Sequence, residues 1–210
     1  SGVTALDSLS FYACFTGSAA TAGDHAYVGF PDVADKPNLT HIPTAGSNVT
    51  TTAGGLTLDL TTHDDIVNPQ GFTVVAVFDG SSVSAAGSQR MVFDLVGGGG
   101  FEQVRVLVTL GIVYAEAVAG ANIVASLNLG AMSSGRNVVA FSVAKNNFAA
   151  VAHGGTLITD AFGTMPAITT LGVGCYMQSA GFELASTIEL LATFPRACTA
   201  GELTALVNAF

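Results

Sequence analysis

The sequence predicts an all-β protein: an antiparallel sandwich of two stacked sheets with one short C-terminal helix. Three observations carry this. Short apolar runs recur along the chain with turns marked by Gly, Asn or Pro, the spacing of a sandwich or barrel (about 8–12 residues per strand and turn) rather than of alternating strands and helices. Hydrophobic residues make up 50% of the 210-residue chain and charged residues only 10%, so a two-layer core is easily supplied. Helical spacing with its own start signal is read at one place, the C-terminus.

The elements follow in order. Residues 1–70 are irregular, with Pro31, Pro37, Pro43 and Pro69 among Asp, Asn and Thr clusters. They read as long loops and short edge strands of the same domain, with Leu9–Phe15 and Leu56–Leu60 as the clear runs. Phe72-Thr73-Val74-Val75-Ala76-Val77-Phe78 is apolar on both faces at its centre, as expected of a central strand covered on two sides. Strands are expected next at Arg90–Leu95, Val104–Leu110, Ile112–Ala117, Asn122–Leu127, Val138–Val143, Phe148–His153, Thr156–Thr159 and Thr170–Tyr176. Gly97-Gly98-Gly99-Gly100 is read as a flexible connection, and Asn146-Asn147 and Gly154-Gly155 as hairpin turns, since Asn and Gly tolerate positive φ.

The closing segment is the most explicit. Thr187–Phe194 is a core strand and Pro195 ends it, because proline cannot donate to a sheet ladder. Thr199-Ala200-Gly201-Glu202 has the spacing of a capping box, in which hydroxyl and carboxylate reciprocally satisfy two backbone amides. Leu203, Leu206, Val207 and Phe210 then fall on one helical face. The helix is expected to pack on one sheet edge. No composition break marks a second core, so residues 1–210 are read as one domain.

Charge excludes several partner classes. Six basic against fifteen acidic residues give a net charge of −9, which argues against nucleic acid and anionic lipid, both of which need cationic patches. No uninterrupted apolar run reaches the roughly 18 residues of a membrane span, and Ser1-Gly2-Val3-Thr4 lacks the regions of a signal peptide. A surface this poor in charge points to burial against partners. Cys14, Cys175 and Cys198 have no metal spacing and read as buried free thiols, with a Cys14–Cys198 bridge as the alternative.

Catalytic signatures are not found. Glycoside hydrolysis needs two carboxylates flanking one bond, and the sequence has no Glu-x-Asp-x-Glu triplet; Glu183 and Glu189 are six apart, and Glu102 and Glu116 lie in different strands. No G-x-S-x-G elbow occurs, Gly97–Gly100 lacks the Lys-Ser/Thr of a phosphate loop, and His25, His41, His63 and His153 are scattered. The expectation is a non-enzyme without a cofactor. Calcium remains an alternative, with Asp64, Asp65 and Asn68 as ligands after the Leu56–Leu60 strand. Sugar binding would use Tyr27, Phe30 and Tyr176 for stacking and Asn146, Asn147 and Gln178 for hydroxyls, all chosen by residue type.

The order of elements resembles the concanavalin A-like lectin/glucanase superfamily, in its laminin-G-like or pentraxin-like jelly-roll branch. Gly71–Phe78 resembles its central strand, with Phe78 near the usual tryptophan, and Arg90–Leu95 the strand after it. Arg136–Val143, Phe148–Leu157 and Thr170–Gly174 resemble successive later strands and a hairpin, and Ile188–Leu206 the closing segment with Pro195-Arg196-Ala197 at its conserved turn. The chain departs from the pattern in having no tryptophan and in carrying Lys145-Asn146-Asn147 at the usual Asp-Gly turn. The low charge and Gly/Ala/Thr/Ser/Val richness also resemble bacteriophage tail-fibre, tailspike and capsid-surface domains. The resemblance implies a non-catalytic receptor-binding domain at the virion surface or outside the cell, a homotrimer that contacts other virion proteins and host-surface glycan. A purely structural capsid-decoration or fibre-assembly domain is the alternative, and a cellular adhesin or lectin the second.

Overall fold

The computed structural model describes residues 28–31, 37–40, 56–60, 66–83, 89–174, 182, 184 and 186–210. Two antiparallel sheets form a jelly-roll sandwich, as the sequence predicts. One has five strands, in the order β11(Ile158–Asp160), β10(Asn147–Ala152), β9(Arg136–Ala144), β4(Phe72–Asp79) and β13(Ile188–Phe194). The other has six, in the order β3(Leu56–Asp59), β12(Thr170–Val173), β5(Arg90–Gly97), β6(Glu102–Thr109), β7(Ile112–Ala119) and β8(Asn122–Ala131). A separate hairpin pairs β1(Val28–Pro31) with β2(Pro37–Thr40), both within the part expected to hold short strands.

Alternation along each strand builds the core. Phe72, Val74, Ala76 and Phe78 of β4 face Phe93 and Leu95 of β5 and Val104, Val106 and Val108 of β6 across the sandwich, with Phe141 and Phe148 beside them. Burying each large side chain contributes about 1.5–3 kcal/mol. Register shifts adjust the pattern, two of them between β7 and β8 and two at the core strands β5 and β13. The register shifts between Met91 and Phe93, so Val92 and Phe93 both join the core. It shifts again between Ile188 and Leu190, which leaves Glu189 in solvent beside Arg136 at 2.8 Å.

The helix α1(Ala200–Ala209) begins with the predicted capping box: Thr199 Oγ1 accepts from the Glu202 amide, and Glu202 accepts from the Thr199 amide at 2.8 Å. Its position corrects the expectation of an edge site. Leu203 and Val207 pack over the outer face of the five-stranded sheet, on a second apolar cluster of Val75, Val77, Val138, Ala140, Ala149, Val151, Leu190, Ala192 and Phe194. The double-sided apolar pattern of β4 is explained by this layer. Cys198 lies in the same cluster as a free, buried thiol; Cys14 and Cys175 lie outside the described residues. No helix among the described residues is long and apolar enough to cross a membrane.

Candidate functional site

Two places on the sandwich bring polar groups together. The first is a row crossing the outer face of the six-stranded sheet. The registers align Thr57, Gly172, Asp94, Arg105, Glu116 and Ser126, one residue per strand from β3 to β8. Arg105 donates through Nε and Nη2 to Glu116 Oε2 at 3.0 and 2.8 Å and through Nη1 to Gln103 Oε1 at 2.9 Å. Ser126 Oγ donates to Glu116 Oε1 at 3.1 Å. Asp94, Arg105 and Glu116 are buried, at 0%, 9% and 8% exposure. Arg105, Gln103, Glu116 and Ser126 satisfy one another, the first three with little exposure to solvent. These bonds join β6, β7 and β8, and the row offers a ligand little surface.

The second place is open. At one end of the sandwich the loops converge on Glu102, the first residue of β6. Its Oε1 accepts from the Gly120 amide at 2.8 Å and its Oε2 from the Ala167 amide at 3.3 Å. One carboxylate thus holds the β7–β8 turn and the segment leading into β12. The Ala121 amide donates to the Phe101 carbonyl at 3.0 Å, and Thr169 donates through its amide and Oγ1 to the Val96 carbonyl at 2.9 and 3.3 Å.

Between these ties lies an open groove of about 580 Å³, lined by Val96, Gly97, Gly98, Gly99, Gly100, Thr169 and Thr170. The glycines are there for two different reasons. Gly97 is extended, but a Cβ on it would sit 1.8 Å from the Ala167 carbonyl oxygen, so the two main chains touch. Gly98, Gly99 and Gly100 take φ of 55°, 69° and 93°, a left-handed run that side chains resist. The expected connection is a short turn of left-handed glycines between β5 and β6. The next residue, Phe101, is 60% exposed. Phe101 does not line the groove but follows Gly100 directly, and the exposed glycine main chain with the two threonines suits a ligand rich in hydroxyls. Nothing in the lining is a nucleophile paired with a base.

The sequence-derived candidates are distributed differently. Asn146 and Asn147 lie at the β9–β10 turn, whose central residues are Lys145 and Asn146, one position earlier than expected, because Asn147 already pairs with Ala144. Asn146 has φ 55°; its Oδ1 accepts from the Gly163 amide at 3.1 Å and its amide donates to the Gly163 carbonyl at 2.9 Å. Asn147 is exposed at the start of β10. Neither lines the groove. Asn68 Oδ1 accepts from the Gln70 amide at 2.8 Å in a local turn. Phe30 is a residue of β1, and Tyr27, Tyr176, Gln178, Asp64 and Asp65 lie outside the described residues. Phe101 was not anticipated. A large aromatic directly after four glycines, between two strands, is the signal that marks it.

The sequence matches no protein-family model and no curated protein. Solved structures share the fold. A Ruminococcus gnavus sialidase CBM40 domain bound to α2,3-sialyllactose superposes with a TM-score of 0.57 at 16% identity, over 73% of this chain and 92% of that one. Domains LG4–5 of the mouse laminin α1 chain give 0.51 at 11% identity, over 68% of this chain and 40% of theirs. A botulinum neurotoxin type C structure, described with two ganglioside molecules, gives 0.53 at 11% identity, over 68% and 36%. The fold is thus that of the lectin-like jelly rolls, and at these identities the likeness extends to the fold alone.

Proposed function

We propose that this chain is a non-catalytic carbohydrate-recognition domain that meets glycan at the Gly97–Phe101 end of the sandwich. The observation that carries the reading is the groove itself: four consecutive glycines flanked by Val96, Thr169 and Thr170, with a 60%-exposed phenylalanine next in the chain. The comparison with a CBM40 domain holding sialyllactose and a neurotoxin that meets gangliosides supports it by fold. The carboxylates Glu116, Glu189 and Glu202 each hold an arginine, which favours a binding role over hydrolysis.

In its fuller form the reading is a single-domain, receptor-binding module at a virion surface, outside the cell. It acts as a homotrimer beside other virion proteins, with calcium at Asp64, Asp65 and Asn68 as an optional aid. Weak sites repeated on symmetric copies would gain avidity without a tight pocket. The alternative, a purely structural assembly domain, is favoured by Phe162 and Leu110, exposed at 80% and 70%. A glycan array on the chain separates the two. Binding of a defined set of glycans, lost in Phe101→Ala with the fold intact, supports recognition; a blank array supports assembly. Light scattering behind size exclusion tests the trimer, and a monomer at high concentration would exclude it.

A further inference from the structure

We infer that the ligand of this groove is an uncharged glycan, one without sialic acid, uronic acid or sulfate; the inference rests on the carbohydrate reading and gives it a substrate class.

The argument begins with the cations. The whole chain has six, Lys36, Arg90, Arg105, Arg136, Lys145 and Arg196, against fifteen acids. A protein that selects acidic sugars needs a guanidinium or ammonium turned to the ligand, because a carboxylate or sulfate is bound best by a charge-assisted, bidentate donor. Three arginines are turned to the protein's own carboxylates. Arg105 grips Glu116, Arg136 grips Glu189 and Arg196 grips Glu202, each at 2.8 Å. Their places are also wrong for the groove. Arg105 is buried on the outer face of the six-stranded sheet, Arg136 lies beside the β13 bulge and Arg196 caps the helix on the opposite sheet. Arg90 begins β5, whereas the groove is formed at its other end, Val96 and Gly97. Lys145 sits in the β9–β10 turn and Lys36 outside the described residues.

Among the described residues, the charge that stands at the groove is negative. Glu102 is half-buried, and its Cγ would lie 3.1 Å from a Cβ placed on Gly98. Both carboxylate oxygens accept from loop amides, so the group is fixed in place as an anion at the rim. The lining itself is valine, glycine and threonine. An acidic sugar entering there would meet a like charge within a few ångströms in a chain of net charge −9. A neutral sugar meets the carbonyls, amides and threonine hydroxyls of the lining, which match its hydroxyls, and the exposed Phe101 next in the chain is there for its apolar face.

Matched pairs of ligands test this. Saturation-transfer NMR on the full 210-residue chain would compare each acidic probe with its uncharged counterpart, lactose against 3′-sialyllactose and dextran against dextran sulfate, across a panel of such pairs. The expected result is binding within the uncharged set, unchanged between low and physiological salt because no ion pair is screened. The acidic partner of each binding pair should be weaker. Glu102→Gln should narrow that gap by a few-fold, and Phe101→Ala should remove the neutral signal. Tighter binding of the acidic partners, with affinity falling as salt rises, would overturn the inference and leave the carbohydrate reading standing. Silence across both sets would overturn the carbohydrate reading and the inference with it.

Discussion

The helix-capping network makes a pH-dependent prediction that can be worked from the structure. Glu202 accepts from Arg196 Nη1 and Nη2 at 3.0 and 2.8 Å and from the Thr199 amide at 2.8 Å. The Arg196 hydrogen bonds first, then the Thr199 amide, hold its carboxyl down from 4.5 to about 2. Taken whole, a depression of that size corresponds to about 3 kcal/mol. The Glu202 side chain is 36% exposed and Arg196 53%, so solvent screening reduces this to about 1 kcal/mol. The folded value lies below the unfolded one. The stabilisation is therefore complete above the unfolded value and is lost as pH falls through the window from 4.5 to about 2. Glu202→Gln keeps the shape and removes the charge. It should lower Tm at pH 7 by about 2–4 °C and by less than half as much at pH 3, read by circular dichroism. The variant isolates one carboxylate because every other acid titrates in both proteins. An equal Tm difference at both pH values would refute the reasoning, since the charge would then contribute nothing to the fold.

Three further outcomes follow from the packing. In the row Asp94–Arg105–Glu116, removing the central cation leaves two buried carboxylates facing each other across β6. Arg105→Met should cost about 3–5 kcal/mol in urea unfolding, more than Glu116→Leu, which leaves Arg105 beside Asp94. Gly97→Ala and Gly99→Ala separate clash from strain. The first sets a methyl 1.8 Å from the Ala167 oxygen and should be the more damaging, at about 1–3 kcal/mol or more. The second meets open space at φ 69° and should cost only about 1–2 kcal/mol, both read from the same unfolding curves. Burial pushes the Cys198 thiol up, so iodoacetamide should label its peptide in denaturant and leave it unlabelled in the folded protein at pH 8, as followed by mass spectrometry.

Much of the sandwich was legible because its signals are local. The run Phe72–Phe78 shows its two-sided burial in the sequence, and Thr199 with Glu202 writes out the helix start. The place of the helix was not legible. Leu203 and Val207 mark one apolar face, but only the sheet order shows that this face meets β9 and β10 rather than an edge. The turn at Lys145–Asn146 was displaced by one residue because Asn147 pairs with Ala144, a cross-strand fact invisible in either strand alone. The groove escaped for a related reason. Four glycines carry no side-chain signal, and what shapes them is the touch of Ala167, which Glu102 holds from 65 residues away in the chain.

The distribution of burial explains why recognition would sit at the loop end. The five-stranded sheet is apolar on both faces, one against its partner sheet and one beneath the helix. Binding there would require the helix to leave. The six-stranded sheet gives the middle of its outer face to the buried Arg105–Glu116 pair and Ser126, and breaking that pair leaves an uncompensated ion. Both sheets are therefore committed to stability. The Gly98–Phe101 turn is tied through the Phe101 carbonyl to the Ala121 amide, but Gly99 has no neighbour a Cβ would meet and the Phe101 side chain stands mostly in solvent. Substitutions at Phe101 can change what the surface touches without entering the core. Glu102 is the exception, because the carboxylate that sets the charge of the rim also fixes the two loops beside it. The proposed selectivity against acidic ligands and the geometry of the groove would thus be held by one side chain, and a variant that alters the first would also loosen the second.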